Sequence, residues 1–557
     1  MVFSINLFNY FVYNHFGGKK NNDAKWTSFS HNGVMFPEPY EPHKIPLIYD
    51  GKKIVLDPES EEYATIYAKF LGTEYLNNKI FNKNFFNDWK VYLKKGGFNE
   101  ITELSKCDFS LIHNHILKHR EQKLNLSKEE KDKLKEKKDK MEEKYKTAIV
   151  NGKEQSVGNF KIEPAGIFLG RGCHPKAGKI KKRIYPEDII LNIDDKSPIP
   201  EMPSFYKTHK WQKVIHDNTL EWLASWKDTI TGKVKYVWLG AKSDFKAQSD
   251  LNKFETARKL KNKINIIRKI NFENITDPNI DEKTKQLACA LYLIDNLALR
   301  VGNEKGDDEA DTVGVCSLRV EHITLLDDYK IKLDFLGKDS VRYVNTVKIN
   351  EDVYKTINDF MKNKKKKEDL FDLINPNMLN NYLKLMLDEL TAKVFRTFNA
   401  SLLFQNEISN INSNFDNYNN DDKLNILLDL YNKANVKVAM LCNHQKNVSK
   451  SFNDQIDKIS HKIKELMNKK KELLNNKSKY KDKLKKLEIK IKEAKSKKEL
   501  KMELKNLSLS TSKTNYIDPR ITIAFLKFHN ISIEKVFSQA LRDKFFWAMD
   551  VEKSWTF

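Results

Sequence analysis

One tyrosine near the C-terminus stands where it could do chemistry. In the stretch SKTNYIDPRI (Ser512 to Ile521), Tyr516 is set against an Asp-Pro turn and an arginine. A phenol oxygen can attack a phosphodiester when cations sit on the nonbridging oxygens and a proton reaches the leaving oxygen. Arginine suits the first task, because its planar guanidinium offers paired donors to phosphoryl oxygens. Lysine or histidine can supply the remaining charge or proton. Taken alone, a tyrosine such as Tyr516 is more often a half-buried aromatic.

The usual helpers of phosphate chemistry fail on spacing. GCHPKAGKI resembles a phosphate-binding loop, but five residues separate Gly172 from Gly178 and Ile180 stands where a Mg²⁺-binding hydroxyl is needed. The carboxylates of DDEAD (Asp307 to Asp311) sit in a polar loop with no adjoining strand of the required type, which predicts a solvated loop. His113, His115 and His119 lack the glutamate of a zinc-protease helix, so no metal site is assigned to them. If the substrate is nucleic acid, the chemistry then falls to the chain's own side chains.

Several elements are legible around these residues. YKIKLDFLGKDSVRYVNTVKI alternates at Ile331, Leu333 and Phe335, breaks at GKDS, and alternates again at Val341 and Tyr343. This predicts a hairpin with Lys338 at its tip. LACALYLIDNLALRVGNE reads as a buried helix ending near Arg300. Ser127 with Glu130 is a capping box opening a highly charged helix over 126–146. The sequence from Asn159 to Arg183 reads as a strand and then a basic loop, and 411–425 as an asparagine-rich loop. Phe452, Ile459, Leu466, Leu473, Tyr480, Leu487 and Ala494 recur every seven residues. The companion seam of Ile456, Ile463, Leu484 and Ile491 fails at Lys470 and Lys477, which predicts two helices folded back at Asn475-Asn476.

Charge narrows the partner. The 557 residues carry 99 Lys and Arg against 76 Asp and Glu, a net +23, and such an excess favours polyanions because bound phosphates release condensed counterions. Arg171, Lys176, Lys179, Lys181, Lys182 and Arg183 form a strip with no acid among them in sequence. Five scattered cysteines without a CxxC pair read as reduced thiols of an intracellular protein. No apolar run approaches a membrane span. The aromatic opening MVFSINLFNYFVYNHF lacks the basic start of a signal peptide and has no assigned role.

TSKTNYIDPRI resembles the active-site segment of the eukaryotic type IB DNA topoisomerases, with Thr514 and Ile517 as mild departures. The likeness continues in family order through FPEPYEP, NFFNDW, LSKCDF, NFKIEPAGIFLGRGCHPKAG, ALYLIDNLALRVGNEK, ADTVGVCSLRVEHI, DFLGKDSVRY, LTAKVFRTFNAS and LCNHQK. The resemblance implies an α+β multidomain fold: a two-lobed DNA clamp with a mixed α/β cap lobe (24–244) and a mainly helical catalytic lobe related to tyrosine recombinases (245–447). An antiparallel coiled-coil linker (448–506) and a small helical C-terminal domain (507–557) follow, and residues 1–23 are a short extension. Tyr516 would be the nucleophile. Arg300, Arg396 and His444 would donate to the nonbridging oxygens, and Lys338 would protonate the departing 5′ oxygen. Arg171, His174, Lys176, Lys181, Lys182, Arg183, Lys338, Asp339 and Asn515 would contact DNA, and Arg171, Asp339 and Asn515 match positions that meet camptothecin-type inhibitors. The implied protein is a nuclear monomer that relaxes supercoiled double-stranded DNA, with no cofactor, no metal and no membrane association. A tyrosine recombinase usually has His-x-x-Arg where this chain has Lys393-x-x-Arg396, and the long charged interval between His444 and Tyr516 is foreign to recombinases. A DNA-binding scaffold with a dead site is the remaining alternative.

Overall fold

The computed structural model describes residues 24–306, 308–411, 420–446, 448, 451–474 and 481–557. The aromatic opening, the first acid of DDEAD, most of the asparagine-rich loop and the Asn475-Asn476 reversal lie outside the described residues. The architecture is mixed α/β and multidomain, and the chain divides into two compact units.

One unit comprises residues 24–248 with the short stretch 305–311. Strands Phe29–His31, Thr147–Val150 and Lys153–Ser156 form an antiparallel sheet. A four-stranded sheet orders Lys213–Ile215, Ile190–Asn192, Trp222–Lys227 and Val234–Trp238, with its first pair parallel. The residues facing inward from these sheets, among them Phe29, Leu191, Leu223 and Val237, build one core. A second core gathers around helix Lys79–Lys95, which Asn78 caps by accepting from the Ile80 and Phe81 amides. Phe81, Phe85 and Trp89 recur at helical spacing on its buried face. The Ser127–Glu130 capping box is formed at the start of Lys128–Glu143, each side chain bonding the other's backbone amide. The strand expected before the basic loop is only the two-residue pair Gly166–Ile167 with Ile180–Lys181. Gly178 follows from close packing there: it has φ +89°, and a β-carbon would fall 1.9 Å from the Phe81 carbonyl oxygen.

The other unit holds 249–304 and 312–557. Its core runs from helix Glu282–Leu297 through the sheet Ile323–Leu326, Lys330–Leu336, Arg342–Lys348 to helices Ala392–Ser409 and Asn420–Leu441. The hairpin pairs Leu336 with Arg342, and Lys338 opens the turn, where Asp339 and Ser340 take positive φ. Ile331, Leu333 and Phe335 face the core, as the alternation requires. The helix expected to end near Arg300 stops at Leu297, because Ala298 adopts a left-handed conformation (φ 48°). The asparagine-rich stretch is not loop throughout, since a helix has begun at Asn420.

Helices Phe452–Leu474 and Lys481–Glu503 pack on each other, and Lys470 pairs with Glu488 at 2.6 Å. Leu484, Leu487, Ile491 and Ala494 of the second helix are buried, whereas Ile456, Ile459, Ile463 and Leu466 of the first are half-buried. Among the described residues no helix is long and apolar enough to cross a membrane.

Candidate active site

Arg300 owes its position to two glycines. Downstream of Ala298 the chain crosses the 312–316 segment, with the Val315 amide donating to the Arg300 carbonyl (2.9 Å) and that of Cys316 to Val301 (2.7 Å). Gly302 and Gly314 meet at this crossing, where a β-carbon on either would lie 2.4 Å from the other's Cα. No larger residue fits. The crossing sends the Arg300 side chain to Tyr516, and its Nη1 donates to the phenol oxygen at 3.1 Å.

Arg396 comes from the buried face of Ala392–Ser409 and is only 6% exposed. Its guanidinium is oriented by main-chain carbonyls: Nη1 donates to Ala298 (3.1 Å) and Nη2 to Cys442. The left-handed Ala298 that ends the preceding helix thus also presents an acceptor to this arginine. The guanidinium carbon lies 5.0 Å from the centre of the Tyr516 ring. Arg396 Nε has no hydrogen-bond partner among the described residues. A buried, unsatisfied N–H on a cation is costly, and an anionic oxygen would relieve it.

His444 follows the end of helix Asn420–Leu441. The 444–446 stretch is tied to 506–508, since Ser508 donates to the His444 carbonyl and the Lys446 amide to Asn506 (both 2.8 Å). The imidazole stacks on Tyr516 with centroids 5.3 Å apart, Nδ1 lies 2.7 Å from Ser512 Oγ, and Nε2 lies 3.5 Å from Arg396 Nη2. Burial, with Arg396 and Arg300 nearby, pushes its pKa down to about 3 from the ordinary 6.5, so the ring is neutral near pH 7. Burial also lowers the pKa of Arg396, with Arg300 adding to the effect.

Tyr516 ends helix Leu509–Asn515 and is 7% exposed. Ser401 Oγ donates to its carbonyl (3.0 Å) and accepts from the Asp518 amide (3.0 Å). Asp518 caps helix Pro519–Phe528 and pairs with Arg520, which also reaches Glu255 at 2.6 Å. Lys253 donates to the Asn515 carbonyl at 3.3 Å. The tyrosine segment is therefore clamped on both sides of the phenol.

Arg300, Arg396 and His444 line one cleft of about 160 Å³ together with Lys338 and Asp339 from the hairpin turn. Of the five residues singled out as catalytic, Arg300, Arg396 and His444 each reach Tyr516, and Arg396 also meets His444. Lys338 is exposed on the cleft wall. Asn515 is exposed beside the tyrosine. The basic strip belongs to the other unit, and acids distant in sequence partner much of it. Lys176 pairs with Asp308 (2.5 Å), Lys181 with Glu163, and Arg183 with Glu62 (2.7 Å), while Lys182 is exposed. His174 Nδ1 accepts from the Lys176 amide, and Arg171 is exposed. The DDEAD acids are not simply solvated, since Asp308 holds Lys176 and Glu309 holds Lys233. Ser401, Ser512 and the Ala298 and Cys442 carbonyls were not singled out from sequence. No local pattern marks them, since their partners are 46 to 117 positions away.

Known proteins match the chain along most of its length. Residues 24–239 match the family described as eukaryotic DNA topoisomerase I, DNA binding fragment; residues 242–478 match eukaryotic DNA topoisomerase I, catalytic core; residues 488–557 match the C-terminal topoisomerase domain. DNA topoisomerase 1 alpha of Arabidopsis thaliana is 45% identical over 561 residues, covering 96% of this chain and 60% of that protein. DNA topoisomerase 1 of Caenorhabditis elegans is 43% identical (96% and 68%), and that of Homo sapiens 42% (95% and 71%). The chain spans about three-fifths of the length of its Arabidopsis relatives.

Proposed function

The chain belongs to the eukaryotic DNA topoisomerase I family, and on that premise we propose that it relaxes positively and negatively supercoiled double-stranded DNA by transient cleavage of one strand. The convergence of two arginines and a histidine on the Tyr516 phenol, from positions up to 216 residues away, carries this reading.

Tyr516 Oη attacks the scissile phosphorus, a 3′-phosphotyrosine forms, and the bond to the 5′ oxygen breaks. The phenol loses its proton to water as the Lys338 ammonium protonates the departing oxygen, and Lys338 regains a proton from water, so the proton count is unchanged. Arg300, already donating to the phenol oxygen, stabilises negative charge as it develops there and on the phosphoryl group. The Nε of Arg396, without a hydrogen-bond partner among the described residues, supplies a second donor without reorganisation, because two carbonyls already hold the guanidinium. His444 is neutral near pH 7 and contributes an N–H rather than a charge. The ester keeps the energy of the broken bond, so the 5′ hydroxyl attacks back and reseals the strand without ATP.

Residues 24–244 act as the cap lobe of a clamp around the duplex, with Arg171, His174, Lys176, Lys181, Lys182 and Arg183 on phosphates. Residues 245–447 act as the catalytic lobe, and the C-terminal domain 507–557 delivers Tyr516. The helices within 448–506 act as a coiled-coil arm, whose 19 lysines against 9 acids between Ser451 and Leu507 slow rotation of the downstream duplex. Asp339 and Asn515 flank the nick with Arg171, where a flat camptothecin-type inhibitor stacks. The protein acts as a monomer in the nucleus.

The test is relaxation of supercoiled plasmid in EDTA. Wild type relaxes it, while Tyr516→Phe binds DNA with unchanged affinity and leaves the linking number as it was. Relaxation by Tyr516→Phe would remove the nucleophile assignment, and a wild type that binds without relaxing would leave only a scaffold.

A further inference from the structure

We propose that Ser512 is a positioning residue that sets the tautomer of His444, its hydroxyl turning from acceptor to donor so that Nε2 can present a hydrogen to the phosphate. This rests on the reading of His444 as a phosphate donor.

The geometry poses a problem of hydrogen ownership. Nε2 faces Arg396 Nη2 at 3.5 Å, and a guanidinium can only donate. The arrangement in the free protein therefore favours a lone pair on Nε2 and the hydrogen on Nδ1, which donates to Ser512 Oγ at 2.7 Å. A phosphoryl oxygen entering the cleft needs the reverse, with the hydrogen on Nε2 and Nδ1 accepting.

A doubly protonated ring would avoid the exchange, but its surroundings oppose it. The groups facing it are Arg396 from one helix, Arg300 from the glycine crossing, Cys442 from its own segment and the Tyr516 phenol, and Lys338 shares the cleft. Asp339 also lines the cleft, but it is exposed on the hairpin turn, and the charges that act on the ring are the two arginines. The ring must donate as neutral imidazole, so tautomer alone decides which nitrogen does so.

The identity of the Nδ1 partner then matters. A carboxylate there could only accept, and would pin the hydrogen on Nδ1, as suits a general base. A serine hydroxyl accepts or donates by rotating about one bond. Ser512 is fully buried and its backbone is fixed, since its carbonyl accepts from the Tyr516 and Ile517 amides (2.9 and 3.0 Å). The imidazole releases its Nδ1 proton to water as Nε2 takes one from water, so the total is unchanged; beyond that exchange only the hydroxyl hydrogen turns, and the nucleophile lies four residues along the same segment.

The experiment uses the full chain and a nicked duplex that traps the covalent intermediate. Ser512→Ala is expected to slow single-turnover cleavage about tenfold, the size of one hydrogen bond's contribution. Ser512→Thr, which keeps the hydroxyl, should recover to within about threefold of wild type on the same scale. In a His444→Gln background the amide donates without a tautomer, so Ser512→Ala should change the rate by less than about twofold. A second readout is independent of activity: ¹⁵N-histidine NMR of the Tyr516→Phe protein should show the His444 hydrogen moving from Nδ1 to Nε2 when intact duplex binds. With Ser512→Ala added, that change should be lost. Equal losses in both His444 backgrounds, or the same Nδ1-to-Nε2 shift on duplex binding with and without Ser512→Ala, would reduce Ser512 to packing and overturn the proposal. If the wild type itself forms no covalent complex, the parent reading fails, whatever the NMR shows.

Discussion

Arg396 and Lys182 carry the same charge under opposite conditions. Arg396 is buried, held by two main-chain carbonyls and pressed against an aromatic ring, with one N–H left over. Lys182 stands exposed on a strip whose neighbours Lys181 and Arg183 are held by acids. A buried cation acts at short range on one oxygen, and its strength comes from having its orientation fixed in advance. An exposed cation acts through the ionic atmosphere, screened beyond about 8–10 Å, and contributes to capture of the polymer rather than to any one bond. The difference shows how one net charge of +23 can serve two purposes.

The sharpest way to break that contrast is at Arg396. Arg396→Ala is expected to slow single-turnover cleavage about 10²–10³-fold. It should also lower the melting temperature, because the Ala298 and Cys442 carbonyls lose their donor, at about 1–3 kcal/mol each. Arg396→Lys should rescue neither, since a single ammonium cannot bridge two carbonyls and still reach a phosphate. Near-normal cleavage by the lysine variant would show that charge alone suffices there.

Lys338 is the intermediate case, a cation of the cleft that is nonetheless exposed on a hairpin turn. Lys338→Ala should slow cleavage about 10²-fold, as loss of a general acid does, with no change in melting temperature. A duplex with sulfur in place of the bridging 5′ oxygen should restore the rate, because a thiolate leaves without a proton. Failure of that rescue would make Lys338 an electrostatic contact and not an acid.

Acid should affect each unit through a buried histidine. The pKa of His444 is pushed down to about 3, and that of His31 in the other unit to about 4, each chiefly by burial. The unfolded chain binds these protons near pH 6.5 while the folded state does not, so stability is full above pH 6.5. It is lost as pH falls from there towards 3–4, by up to about 1.4 kcal/mol per pH unit for each group. Denaturant melts from pH 4 to 7 should show the slope, and His444→Gln should remove its own share. A slope unchanged by that substitution would mean that His444 is protonated in the folded protein.

The smallest effect belongs to the strip. Lys182→Ala should weaken duplex binding only a few-fold and reduce the slope of log affinity against log salt by about 0.9, one phosphate contact. Cleavage of bound DNA should be unaffected. A loss of cleavage at saturating DNA would place Lys182 in the chemistry and erase the distinction from Arg396.

The same contrast explains what could be read along the chain. The hairpin was legible because alternation and the GKDS break are local, and so was the Ser127–Glu130 box, whose two bonds span three residues. The helix expected to end near Arg300 stops three residues before it, at Leu297. Ala and Leu favour continuation, and only the tertiary demand for the Ala298 carbonyl and the Gly302–Gly314 crossing turns the chain at a left-handed alanine. The acids of 308–309 looked like solvated loop because their lysine partners lie 132 and 76 residues away.

Residue order alone showed which reactive side chains the chain offers: a tyrosine in a family segment, arginines and a histidine in their own segments, and a basic excess that favours a polyanion. It also settled the local scaffolds, since turns and helix caps are written within a few residues. Tertiary structure decided which side chains share a site and in what state. The bonds linking Arg300 to Tyr516 and Arg396 to Ala298 span 216 and 98 residues, and burial there leaves His444 neutral. Desolvation and donor geometry are properties of packed neighbours, and no short stretch of the chain contains them.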